Sequence, residues 1–335
     1  MTGRVSPLKL TLKRGALVAA ANWQVALVQF VADSLFKALL AVPIVGGVFL
    51  VVLVVGGEPS ELIGSMEVRT IVPALAAALL ANRLVLASFV AALAIVVIGG
   101  SAFMFLVKGG TVAILVQSDR QAGPIETAPL HLSGLRQAGA FGLDAFIAEC
   151  TRLFRRYLRL GLILIGVYVV SGAGYVFLTF GMDRHGVPQW LGWRLAAATS
   201  ILLVGWITLV NLLYLLTQLV IVAEDCSVRA GLAHVVRLLR RELRGVAAVF
   251  GVVLALVVLA TAASVLATAA LGLVGFVPLV GLAVLPLQLV AWLVRGLVFQ
   301  YLGLTAIGAY LKLYRSARGD AGADSVVPVM TGQPS

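Results

Sequence analysis

Four arginines within eight residues, Arg237, Arg240, Arg241 and Arg244, stand at i, i+3, i+4 and i+7, the spacing that puts side chains on one face of a helix. A guanidinium presents a planar fork of N–H donors that matches two oxygens of a phosphate, so such a face suits phosphoryl groups. The arrangement occurs twice. RLFRRYLRL at 152–160 aligns with RLLRRELRG at 237–245, six of nine positions being identical, so Arg152, Arg155, Arg156 and Arg159 form an earlier copy. The other face is apolar in each: Leu232, Val235, Val236, Leu239 and Leu243 in the later copy, and Ile147, Cys150, Thr151, Phe154 and Leu158 in the earlier. Helices of this kind lie in the membrane interface, with the apolar side at the acyl boundary and the arginines among headgroups. Each basic residue there adds at most about 1 kcal/mol on an anionic leaflet. Anionic membrane lipid is therefore the expected partner, and these eight arginines are its candidate contacts. The plainer reading is that they only fix topology and anchor the helices. The sharper one is a specific phosphate site shared between the two copies.

A second group of charges falls inside apolar stretches, where an ionisable residue costs ~2.5–3.5 kcal/mol or more and so demands a reason. Asp33 and Lys37 are i, i+4 and suited to neutralise each other, whereas Arg295 has no acidic neighbour in its own stretch. Arg295 is expected to reach Asp33, Gln29 or Asn211 as an interhelical clamp, with a polar transport path as the alternative. Lys108 and Arg83 are expected to snorkel to the two interfaces. Motifs for catalysis are missing: His131, His185 and His234 are scattered, and no HExxH, GxSxG or GxxxxGK[ST] occurs. No catalytic residue, metal or cofactor is expected. Asp225 or Ser227 is expected to cap the helix that follows rather than to do acid–base work.

The elements that position these charges are set by composition. The chain has 335 residues, of which 61% are hydrophobic and only 12% charged, against roughly a quarter charged in soluble proteins. A formal charge of +11 would suggest nucleic acid in a soluble chain; here it belongs to loops that orient spans, and no nucleic-acid partner is expected. Crossing a hydrocarbon core about 30 Å thick takes roughly 20 apolar residues, and six stretches qualify: about 25–54, 84–107, 160–181, 195–222, 246–273 and 283–310. All are expected to be helical, because an unpaired strand leaves its backbone unsatisfied in lipid. Residues 70–82 read as an interfacial helix on the opposite side. Most of the 25 basic residues fall in the N-terminal stretch, after spans 2 and 4, and after span 6; the other side holds Arg69, Arg184 and Arg194. Both termini are therefore expected to be cytoplasmic.

The expected fold class is an all-α polytopic membrane bundle: six transmembrane helices as three hairpins with amphipathic cytoplasmic lead-in helices at about 8–22, 144–159 and 228–245. TVAILVQSD at 111–119 echoes TQLVIVAED at 217–225, so the repeating unit is span, Asp, basic helix, span. The N-terminal lead-in, with Lys9, Lys13 and Arg14, is the faintest copy. A single membrane domain over 1–315 and a disordered tail over 316–335 complete the expected organisation. The basic N-terminus runs on without a small-residue cleavage site and is expected to be retained. Cys150 and Cys226 imply no disulfide framework. Ala260, Ser264, Thr268 and Gly272 form a small-residue ridge expected to admit a close neighbour, and Pro43, Pro278 and Pro286 are positions where helices can bend.

LVIVAEDCSVRAGLAHVVRLLRREL at 219–243 resembles the signature segment of bacterial and archaeal six-span proteins related to the membrane domain of glycerophosphoryl diester phosphodiesterase. Glu224, Ser227, Ala230, Leu232, Arg237 and Leu238 carry the match; Val235 stands where the family usually has Ser. The resemblance implies a non-catalytic module of a cell (inner) membrane. Phosphodiesterase chemistry belongs to a separate soluble barrel of roughly 250 residues, which no hydrophilic segment here could hold. The expected function is a non-enzymatic membrane protein of envelope or lipid organisation; a permease component using Asp33, Lys37 and Arg295 is the alternative.

Overall fold

The structure is a computed structural model that describes residues 8–55, 83–126, 132–139, 141–184, 189–275 and 280–319. They form eight helices and no strand: α1 (Leu8–Ala21), α2 (Trp23–Val55), α3 (Arg83–Gln121), α4 (Leu132–Gln137), α5 (Leu143–Arg184), α6 (Gln189–Ala223), α7 (Val228–Gly275) and α8 (Val280–Arg318). Six of them (α2, α3, α5, α6, α7, α8) are long and apolar enough to cross a membrane. The all-α polytopic class is thus met, and the chain is a multi-pass membrane protein. The helix expected over 70–82 lies outside the described residues. Close contacts gather the chain into two compact units, Met1–Phe30 with Lys108–Ser335 and Val31–Val107, where a single domain over 1–315 was expected.

Several helices are far longer than a crossing. At 1.5 Å per residue the 42 residues of α5 extend about 63 Å, twice the hydrocarbon thickness; the 48 residues of α7 extend further. The excess carries the arginines. In α7 the basic segment meets the span at a break, Glu242 having φ −128° and ψ 34°. In α5 the basic segment and span form one helix from Leu143 to Arg184. A separate in-plane helix over 144–159 is therefore replaced by a continuous extension of the span. Likewise α2 passes through Pro43 and α8 through Pro286 without a break. The expected tail also begins later than 316, since α8 continues to Arg318; residues 320–335 lie outside the described residues.

In the larger unit the core lies at the arginine-rich end. Its fully buried side chains include Val18, Leu115, Leu153, Tyr157, Leu216, Leu219, Leu304, Tyr310 and Leu311. Farther along the same helices Val170, Phe177, Ile201 and Leu266 are more than two-thirds exposed, the state expected of side chains whose solvent is acyl chain rather than water. Polar rungs tie α5 to α6 in that region: Tyr168 Oη donates to Asn211 Oδ1 at 2.5 Å, Trp206 Nε1 donates to Ser171 Oγ at 2.9 Å, and Tyr175 Oη meets Ser200 Oγ at 2.9 Å. Backbones approach closely where α1 crosses α8. A Cβ on Gly15 would collide with the backbone of Thr305 and Ala309, and one on Gly308 would come within 2.8 Å of Gly15 Cα. The ridge expected on α7 does not play this part: nothing stands within 4 Å of a Cβ built on Gly272, and Thr268 is exposed.

In the smaller unit Phe36 packs on Gly100 and Phe89 on Gly47. It also holds the Asp33–Lys37 ion pair, Nζ to Oδ2 2.6 Å.

Candidate functional site

The chemistry of the larger unit is concentrated where α1, the end of α3, the loop after it and the end of α8 meet. Arg14 of α1 is 2% exposed and Asp119 of α3 1% exposed. Its Nε donates to Asp119 Oδ1 at 2.5 Å, its Nη1 to Glu126 Oε2 at 2.8 Å and to the Gly123 carbonyl at 2.7 Å, and its Nη2 to the Asp119 carbonyl at 2.9 Å. From α8, Arg315 Nη1 lies 2.5 Å from Asp119 Oδ2 and Lys312 Nζ 3.1 Å from Glu126 Oε1. Lys13 Nζ donates to the Glu126 carbonyl at 2.9 Å. Burial alone would lower the pKa of Arg14, but Asp119 and Glu126 outweigh it and hold the guanidinium above its ordinary value. Burial would raise Glu126; its backbone hydrogen bond, Arg14 and Lys312 outweigh that and hold it below the usual carboxylate range. The cluster is an ionic knot, and breaking one member leaves buried charge uncompensated.

Beside the knot, Asn22 separates α1 from α2. Fully buried, its amide donates to the Val18 carbonyl (3.0 Å), to Ser118 Oγ (2.8 Å) and to the Ala138 carbonyl (2.9 Å), joining α1, α3 and the end of α4. The faintest lead-in copy is therefore bound into the core by Arg14, Gly15 and Asn22.

The two arginine copies, alike in sequence, have different surroundings. Asp225 closes α6 in the left-handed region, φ +46°, where Cys226 N–H reaches the Ile221 carbonyl at 3.2 Å in a helix-terminating bond. Its carboxylate accepts from Arg152 Nη1 at 2.9 Å and Arg156 Nη1 at 2.5 Å. The Arg156 hydrogen bond, then the charges of Arg156 and Arg152, hold Asp225 below its ordinary value against slight desolvation. Arg152 is further paired with Glu149 at 2.7 Å. The capping question resolves to Ser227, whose Oγ accepts from Ala230 N–H at 3.4 Å. Arg155 and Arg159 are exposed. In the later copy Arg237, Arg240, Arg241 and Arg244 are all exposed, and among the described residues none has a carboxylate at ion-pair distance. Its apolar face is divided: Val235 and Leu238 are buried, while Leu232, Val236 and Leu243 remain exposed.

Arg237 and Arg241 line an open cleft of about 190 Å³ between α7 and α8, together with His234, Leu238, Tyr314, Ala317 and Arg318. Tyr314 Oη donates to Glu224 Oε1 at 3.1 Å and stands 3.4 Å from His234 Nδ1. Arg318 pairs with the same carboxylate oxygen of Glu224. His234 and Tyr314 thus join a constellation that motif searching could not find; the available signal was His234, Arg237 and Arg241 recurring at helical spacing.

The intramembrane charges are placed as follows. Asp33 and Lys37 pair within one turn of α2. Arg295 is exposed on α8, its guanidinium 5.9 Å from the Phe299 ring, and Asn211 is bonded to Tyr168 instead. Lys108, expected at the interface, lies 5.7 Å from the ring of Tyr214. His131, His185 and Arg69 lie outside the described residues. No family model, curated protein or solved structure matches the chain.

Proposed function

We propose that this protein is a non-enzymatic integral membrane protein that organises anionic lipid at one membrane face through its basic helices. The observation that carries the reading is the later arginine copy: four exposed guanidiniums without carboxylate partners among the described residues, on a helix that also exposes Leu232, Val236 and Leu243. Arginines beside open apolar side chains suit a headgroup layer resting on acyl chains. The excess of basic residues at this end supports a cytoplasmic location for both termini. The resemblance of residues 219–243 to the membrane domain of glycerophosphoryl diester phosphodiesterases supports a bacterial or archaeal cell membrane. The local pairing of Asp33 with Lys37 supports neutralisation within α2 over a transport path.

The test is lipid retention. Full-length protein purified from mixed-lipid membranes is expected to carry anionic lipid, and replacing Arg237, Arg240, Arg241 and Arg244 together by Gln is expected to remove most of it. Unchanged retention in that variant would refute the proposal.

A further inference from the structure

The cleft between α7 and α8 separates two of the four later arginines from the other two. His234, Arg237, Leu238 and Arg241 are i, i+3, i+4 and i+7 on α7, and Tyr314, Ala317 and Arg318 are i, i+3 and i+4 on α8, so one face of each helix lines it. Arg240 and Arg244 do not. The helices are held together just beyond by Leu313, which stands 3.0 Å from a Cβ built on Gly245.

The charge of this cleft is uneven by construction. Three guanidiniums line it and no carboxylate does; the nearby Glu224 carboxylate is engaged by Arg318 and by the Tyr314 hydroxyl. Because Tyr314 donates its one proton to Glu224, its contact with His234 requires Nδ1–H of the imidazole as donor. His234, Tyr314 and Glu224 thus form an oriented chain that fixes the wall of the cleft. Arg241 and the Nη groups of Arg237, whose Nε donates to the Ala233 carbonyl at 3.5 Å, are left available, the reverse of Arg152 and Arg156, which share Asp225, with Glu149 as a second partner of Arg152. Position in the chain is the second argument. Arg241 lies five residues before the apolar run that starts at Val246, on the basic side of the break at Glu242, next to the point where the span enters the hydrocarbon.

We infer that this cleft is a phosphoryl-binding site, in which Arg237 and Arg241 grip the phosphate oxygens of an anionic phospholipid headgroup or of a soluble phosphate ester. The inference rests on the lipid-organising reading and narrows it from a charged surface to one built site. A volume of about 190 Å³ admits one phosphoryl group with its glycerol and attendant waters. Planar guanidinium forks match the oxygens of a phosphate bidentately.

The experiment uses the full chain in nanodiscs of phosphatidylcholine doped with phosphatidylglycerol, with retained lipid read by native mass spectrometry. Three variants remove the same kind of charge from different places: R237Q/R241Q inside the cleft, R240Q/R244Q outside it, and the fourfold Gln variant. The site predicts that R237Q/R241Q lowers retained phosphatidylglycerol by at least about tenfold, that R240Q/R244Q lowers it by a clearly smaller factor, and that Y314F weakens binding with all arginines intact. Glycerol 3-phosphate is the soluble probe in parallel discs of phosphatidylcholine alone. If it binds and R237Q/R241Q abolishes that binding, the soluble ester is a ligand; if only phosphatidylglycerol is retained, the source is the lipid. Equal losses in the two double variants would overturn the cleft while leaving the charged-surface reading intact. No loss even in the fourfold variant would overturn both.

Discussion

Replacing Arg14 by Gln would leave Asp119, 1% exposed, with Arg315 as its remaining charged partner, and would strip Glu126 of its guanidinium. Removing one member of a buried ion pair costs about 3–5 kcal/mol because the other charge stays buried. R14Q and D119N are each expected to lower the unfolding free energy of the detergent-solubilised protein by an amount in that range, measured by thermal or denaturant unfolding. R155Q, whose side chain is exposed and unpaired among the described residues, is expected to change it by less than about 0.5 kcal/mol. The knot also has a pH signature. Glu126 has a folded pKa below its ordinary value of 4.5, so its contribution is complete above that value and is lost as pH falls through the lower folded one. Thermal stability is therefore expected to decline on acidification below about pH 4.5, and E126Q to flatten that decline. A variant whose acid profile matched the parent's would show that Glu126 is not the group responsible.

Helix α1 is seated by shape as much as by charge. Gly15 faces the backbone of Thr305 and Ala309 so closely that any Cβ collides, and backbone cannot yield as a flexible side chain can. G15A is expected to cost about 1–3 kcal/mol, the usual range for overpacking, and G15L more. A disulfide-trapping assay between cysteines introduced on α1 and α8 should show the loss of contact as a lower cross-linking yield. For α7, S227A removes the acceptor at the helix start and is expected to cost about 1 kcal/mol. An effect no larger than that would show that α7 is held mainly by its packing rather than by its cap. The two long helices differ: in α5 the basic segment and the span continue as one helix, whereas Glu242 interrupts α7 between them.

For the protein as a membrane object, the prediction is topological. Both termini are expected on the same, cytoplasmic face, checked by protease protection of tags at each end in sealed membranes; tags on opposite faces would contradict six crossings. The six spans were legible in the chain because a bilayer imposes a minimum apolar length, and hydropathy reads length directly. The basic faces of α5 and α7 were legible because helical periodicity is a property of neighbours. Neither rule reaches across the chain. Arg14 and Asp119 are 105 residues apart, and Arg156 and Asp225 69; which basic residue meets which acid depends on how helices pack, as at Gly15 and Gly308. Two arginine segments with six of nine positions in common therefore take different roles. In one, Arg152 and Arg156 reach the acidic end of α6 and pair with Asp225, while the other lies along α8 with no carboxylate at ion-pair distance among the described residues. Local pattern set the class, the spans and the charged faces, since these depend on composition and spacing alone. Which of those charges are buried, paired or left open toward a ligand was decided by long-range contacts.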